Sequence, residues 1–104
     1  MATTTTTDLD QVAERFHALS DPTRLRILGL LANGEHCVCE LMSELDTAQS
    51  RLSFHLRVLR EAGFVTSRRE GQWMYYAVER DALDALVGVL TMPAATWKRA
   101  AKCC

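Results

Sequence analysis

Ala48-Gln49-Ser50-Arg51-Leu52-Ser53-Phe54-His55-Leu56-Arg57-Val58-Leu59-Arg60-Glu61-Ala62-Gly63 runs directly into Phe64-Val65-Thr66-Ser67-Arg68-Arg69-Glu70-Gly71-Gln72-Trp73-Met74-Tyr75-Tyr76-Ala77-Val78, and this stretch decides the fold. At about 100° per residue, Ala48, Leu52, Leu56 and Leu59 form one apolar stripe that can pack on a core. Gln49, Ser50, Ser53, Arg57 and Arg60 occupy a separate third of the circumference, with Phe54 at its flank. His55 lies nearer the apolar side and is expected to be a packed, hydrogen-bonded histidine. Gly63 stops the helix, and the pattern then becomes strand-like. Two runs of β-formers on either side of Glu70-Gly71 predict a β-hairpin carrying Arg68 and Arg69 near its tip.

Upstream, helical periodicity begins at Leu9, with Val12, Phe16 and Leu19 on one face. Asp21-Pro22 restarts it, since Asp is a natural N-cap and proline at the first helical position loses no needed hydrogen bond. Leu25, Ile27, Leu28, Leu30 and Leu31 continue that helix until Asn33-Gly34 ends it. A short helix follows over roughly Cys37 to Leu45. Asp46-Thr47 makes a turn, and either residue is placed to cap the helix beginning at 48. Two helices joined by a tight turn make a helix-turn-helix candidate. A last helix is expected from Arg80 or Asp81, with Leu83, Leu86, Val87 and Leu90, until Pro93 interrupts it. Whether Ala94 to Cys104 resumes as helix is left open by the sequence.

The domain plan is a disordered Thr-rich tail over 1–7, one domain over 8–92 and a C-terminal extension over 93–104. With 104 residues, 48% of them hydrophobic and 24% charged, the chain has room for one core of ordinary globular composition. No apolar run approaches the roughly 20 residues needed to span a bilayer, and the start does not read as a signal peptide. A cytoplasmic protein without membrane contact is the expectation.

The formal net charge is −1, yet the charges are unevenly spread. Residues 1–47 sum to −5, residues 48–71 to +3 and residues 72–104 to +1. A basic island inside an acidic chain suggests a polyanionic partner. The helix over 48–62 has short hydrogen-bonding side chains at its N-terminal end and arginines further along. That is how a recognition helix meets base edges in the major groove and then phosphates. Gln49, Ser50, Ser53, Phe54, Arg57, Arg60, Arg68 and Arg69 are the candidate contacts to double-stranded DNA.

The four cysteines form two tight pairs, Cys37/Cys39 and Cys103/Cys104. A disulfide between residues so close in sequence is expected to be strained, and cytoplasmic chains seldom carry structural ones. Paired thiolates suit a soft metal, a metalloid or a redox switch.

Three segments carry a family resemblance. Ala18-Leu19-Ser20-Asp21-Pro22-Thr23-Arg24-Leu25-Arg26-Ile27-Leu28 resembles the N-terminal signature of the ArsR family of metal-responsive repressors. Ser50-Arg51-Leu52-Ser53-Phe54-His55-Leu56-Arg57-Val58-Leu59 resembles its recognition helix, and Arg68-Arg69-Glu70-Gly71-Gln72-Trp73-Met74-Tyr75-Tyr76 its wing. The resemblance spans about residues 9–90. It implies a mainly α homodimer with a β-hairpin, a winged helix-turn-helix repressor that binds an inverted-repeat operator and releases it on binding an inducer.

Within that family, Cys37-Val38-Cys39-Glu40-Leu41 resembles the arsenic-binding motif, which implies arsenite, As(III), or antimonite, Sb(III), as inducer and no organic cofactor. In a regular helix, residues two apart point about 200° apart, so two sulfurs reach one ion only if the first turn unwinds or the chain enters it non-helically. The family motif has a third cysteine where this chain has Met42, a poor donor to arsenic. Cys103 and Cys104 supply the missing sulfur, form a second vicinal-dithiol site, or are incidental; the sequence leaves all three open. His36 suits zinc or cadmium better than arsenic, and both His36 and His17 read as bystanders. The family's zinc site uses Asp and His on the last helix. Residues 79–90 offer Glu79, Asp81 and Asp84 but no histidine, so that site is expected to be absent.

No Gly-rich phosphate loop or Ser/His/Asp arrangement points to an enzyme. The rival readings are a repressor of the same fold that senses thiol oxidation or another soft metal (Cd, Pb or Zn), and a protein-interaction module. Salt-dependent binding to an inverted repeat separates the last from the others. Arsenite-driven release under a strong thiol reductant separates arsenic sensing from oxidation.

Overall fold

A computed structural model describes residues 8–91; the expected tail over 1–7, the extension from 93 and the Cys103/Cys104 pair lie outside them. Five helices and three short strands run in the order α1 (Leu9–Leu19), α2 (Pro22–Leu31), β1 (His36–Cys37), α3 (Val38–Leu45), α4 (Gln49–Glu61), β2 (Val65–Glu70), β3 (Trp73–Val78) and α5 (Arg80–Thr91). Among the described residues no helix is long and apolar enough to cross a membrane.

Local chemistry explains the boundaries. The Asp21 carboxylate accepts from the Thr23 and Arg24 amides at 2.9 and 3.2 Å, and Pro22 takes the first helical position. Burial works against ionisation of Asp21, but the two amide hydrogen bonds and the nearby Arg24 guanidinium outweigh it, holding its pKa below the ordinary aspartate value. Asp21→Ala should therefore destabilise the fold by about 0.5–2 kcal/mol in urea unfolding at neutral pH. A carboxyl whose pKa is depressed in the folded state contributes stability above its unfolded value and loses it as pH falls through the folded one. The difference between the two chains should accordingly shrink below about pH 4.

At the end of α4, the Phe64 amide donates to the Leu59 carbonyl at 2.9 Å and the Gly63 amide to that of Arg60 at 3.0 Å. This pair of bonds is a Schellman cap, and its left-handed residue, Gly63 at φ 87°, is the expected stop. The cap turns Phe64 and Val65 straight into the core. Gly71, at φ 65°, then takes the first position of a two-residue hairpin loop that pairs Glu70 with Trp73.

The sheet differs from the expected hairpin. It has three antiparallel strands in the order β1-β3-β2, because His36 and Cys37 pair with Tyr76 and Tyr75. The start of α4 also differs from expectation. Asp46 adopts a left-handed conformation (φ 51°, ψ 54°) that closes α3, and Ala48 occupies the N-cap of α4 with no side-chain hydrogen bond. Neither Asp46 nor Thr47 is the cap.

Ile27 and Leu31 of α2, Leu41 of α3, Leu52, Leu56 and Leu59 of α4, and Phe64 and Val65 form the fully buried centre. α4 thus lies across the middle of the domain, apolar stripe inward. The apolar stripes of α1 and α5 predict a dimer face around Val12, Phe16, Leu83, Leu86 and Leu90, and that face is only partly free. Val12 and Leu86 are buried in the chain's own core, and Phe16 and Leu83 pack partly against it. Leu90 and Val87 of α5 remain 63% and 61% exposed, and Leu9 of α1 37%.

Candidate nucleic-acid interface and thiol pair

The polar face of α4 is open. Gln49, Ser50, Ser53, Phe54, Arg57 and Arg60 are exposed, whereas Leu52, His55, Leu56 and Leu59 are buried. Its first turn begins without a side-chain cap, so the leading amides stay available. His55 holds the rotation of this helix. Its Nδ1 lies 3.1 Å from Arg24 Nη1 and 3.9 Å from the Asp21 carboxylate. A guanidinium only donates, so Nδ1 accepts and the ring proton sits on Nε2. Arg24 is itself buried and donates through Nε to the Ala18 carbonyl at 2.6 Å. One buried arginine therefore joins the end of α1, the start of α2 and the inner side of α4. Sequence reasoning placed His55 inward but could not supply this partner, 31 positions away in the chain.

The hairpin arginines, expected as a pair, stand in different environments. Arg68 makes two bonds of 2.8 Å to the Glu35 carboxylate and one of 2.7 Å to Glu70, and lies 4.8 Å from the centre of the Tyr75 ring. Hydrogen bonds from Arg68 hold the Glu35 pKa below its ordinary value against partial desolvation, and the same bonds raise that of Arg68. Arg68 thus ties the segment before β1 to the hairpin through paired charges while its side chain stays about half exposed. Arg69 is exposed, with a contact of 3.5 Å to the Gly71 carbonyl.

Cys37 and Cys39 meet where these parts join. Cys37 is the N-cap of α3, extended at φ −83° and ψ 160°, and its amide donates to the Glu40 carboxylate at 2.9 Å. The extended residue swings its side chain back over the first turn, so both sulfurs converge without any unwinding. Their Cα atoms are 5.4 Å apart and the sulfurs are joined as a disulfide, contrary to the expectation that such close cysteines stay unbridged. Cys37 is buried and paired with Tyr75 of the hairpin, whereas Cys39 is exposed. The pair therefore touches the wing as well as α3, a link that a two-residue strand does not announce in sequence.

A family model for bacterial regulatory proteins of the arsR family matches residues 21–67, from the α2 cap into β2. An HTH-type transcriptional regulator of Methanocaldococcus jannaschii is 44% identical over 79 residues, covering 75% of this chain and 89% of that protein. The arsenic resistance transcriptional regulator ArsR1 of Pseudomonas putida is 52% identical over 76 residues. That match covers 69% of this chain but 59% of the relative, so the chain spans little more than half of it. Other relatives are named for mercury and cadmium resistance. Among solved structures, the homodimeric winged helix-turn-helix DNA-binding domain of a possible ArsR-family regulator from Mycobacterium bovis superposes with a TM-score of 0.69 at 36% identity. It covers 80% of this chain and 78% of its own.

Proposed function

The chain belongs to the ArsR family of bacterial regulatory proteins, a family of winged helix-turn-helix transcriptional regulators, and from that premise we propose that it is a dimeric repressor released from its operator by trivalent arsenic or antimony. The observation that carries this reading is the position of Cys37 and Cys39. They sit at the one junction shared by α3, which positions the reading helix, and by β3 of the wing. A thiophilic ion bound there acts on both DNA-facing elements at once, which supplies the two-state coupling that induction needs. Arg57, Arg60 and Arg69 neutralise phosphates, and Gln49 and Ser53 read base edges of an inverted repeat.

The test is arsenite titration of the protein–operator complex in a strong thiol reductant, followed by fluorescence anisotropy. Release with loss of two thiols per subunit supports arsenic sensing. Release by oxidant alone, with none by arsenite, supports the second reading, a thiol-oxidation sensor, which the bridged Cys37–Cys39 pair favours.

Gln49→Ala or Ser53→Ala should weaken specific binding by ~1–3 kcal/mol per good base contact and leave binding to unrelated DNA unchanged. Arg69→Ala should lower the slope of log affinity against log salt by about one. Arg68→Ala, which removes an already paired charge, should change that slope far less. Equal slopes for the two arginine variants would contradict the separate roles given to them.

A further inference from the structure

Arg68 and Tyr75 stand opposite one another on β2 and β3, and the Arg68 guanidinium lies 4.8 Å from the centre of the Tyr75 ring. Glu35, in the segment just before β1, closes on that guanidinium with both carboxylate oxygens, each accepting at 2.8 Å, one from Nε and one from Nη2. Glu70 accepts from Nη1 at 2.7 Å. Three of the five guanidinium N–H groups thus point at carboxylates. Two parallel N–H···O bonds are also how a guanidinium grips a phosphate, and Glu35 already fills one such fork. One positive charge meets two negative ones, so the cluster as a whole repels DNA although the Arg68 side chain is about half exposed.

Building on the reading of α4 and the hairpin as the DNA-facing surface, we propose that Glu35 is a positioning residue for DNA binding: its carboxylate occupies Arg68 in place of a phosphate and so keeps affinity for DNA of arbitrary sequence low. A phosphate contact adds affinity without regard to sequence. Withholding one per subunit weakens binding at every competing site and leaves the base contacts of α4 to decide where the protein rests. Handing Arg68 to DNA costs two charge-assisted bonds to Glu35 and returns two to phosphate, an exchange close to even that the charge on Glu35 tips. The bonds from Arg68 hold the Glu35 carboxyl below its ordinary pKa, so it is ionised throughout the neutral range. Glu70 contributes a single bond from a side chain that is 65% exposed, and it screens the arginine without gripping it.

The experiment titrates the full unchanged chain, Glu35→Gln, Arg68→Ala and the double variant into a labelled duplex of random sequence at several salt concentrations. Glutamine keeps the shape and one acceptor of glutamate but not its charge, so phosphate displaces it. Glu35→Gln is expected to bind about 2- to 5-fold more tightly per subunit and to steepen the slope of log affinity against log salt by about 0.9 per subunit. On the Arg68→Ala background the same change should leave the slope where it is. The Arg68 Nε–H signal, followed by heteronuclear NMR, should stay in place when duplex is added to the unchanged chain and move in Glu35→Gln, a difference that a merely structural Glu35 would not produce. No steepening, or an equal one with Arg68 removed, would overturn the proposal, as would an Nε–H signal that moves on adding duplex with Glu35 present. Binding that does not weaken with salt in any of these chains would overturn the reading of this face as the DNA surface.

Discussion

A chain with Cys37→Ser or Cys39→Ser is expected to bind its operator as the unchanged protein does, yet to stay bound at arsenite or antimonite concentrations that strip the unchanged protein. Serine preserves the geometry, since an extended N-cap ahead of α3 is a position serine fills well and the Glu40 bond to the residue-37 amide does not involve the side chain. What is lost is chelation. Two sulfurs on one turn hold a single ion with the advantage of high effective concentration, commonly a factor of 10²–10⁴ over either alone. One thiol competes with free glutathione on equal terms. The midpoint of release, read by anisotropy in reductant, should move by at least about 100-fold. If the Cys37→Ser, Cys39→Ser double variant still leaves the operator on adding arsenite, the sensing site belongs to Cys103 and Cys104. A Cys103→Ser, Cys104→Ser chain that cannot be induced would make the tail the source of a third ligand.

Glutamates at Val87 and Leu90 should separate the subunits. These side chains are 61% and 63% exposed on α5, one turn apart, so among the described residues they have little cover. Two buried carboxylates facing their symmetry mates have no counter-charge, and burying unpaired charge is prohibitive. The isolated chain keeps its core, because Leu86 and Val89 point the other way. Operator affinity should then fall by about 10²–10⁴-fold, since each half-site is bound separately. Sedimentation and anisotropy on the same samples check both halves of the statement. A monomer already present in the unchanged protein at micromolar concentration would contradict it.

What the residues announce in advance follows from how local the signal is. The α4 stripe, the Gly63 stop and the Glu70-Gly71 turn each depend on neighbours within four positions, and each stands where periodicity and turn chemistry put it. The inward turn of His55 was readable for the same reason. The Arg68–Glu35 pair was not, because its partners are 33 positions apart and only the folded hairpin brings them together. Strand β1 is too short to carry an alternating pattern. The cap of α4 misled because Asp46, a good capping residue, was taken up by closing the preceding helix in a left-handed conformation. Which apolar residues of α1 and α5 cover their own core and which stay exposed was not legible, because an apolar helix residue looks alike whether its neighbour lies in its own chain or in another. The close spacing of Cys37 and Cys39 and the resemblance of their motif were legible, but their bridge and the pairing of Cys37 with the wing were not.

Strand β1 also limits how far induction can go. Its two residues cover one edge of β3, and β2 covers the other, so the middle strand has no open edge along that pairing. Pulling Cys37 away from Tyr75 would uncover main-chain donors and acceptors of β3, a template on which a second molecule can add a strand. A repressor that discharged its operator by shedding β1 entirely would trade regulation for self-association. On the proposed mechanism, the movement that frees DNA is expected to leave the His36–Tyr76 and Cys37–Tyr75 pairings made. Amide exchange at Tyr75 and Tyr76 should remain slow in the induced state, and inducer-loaded protein should stay free of aggregates on standing.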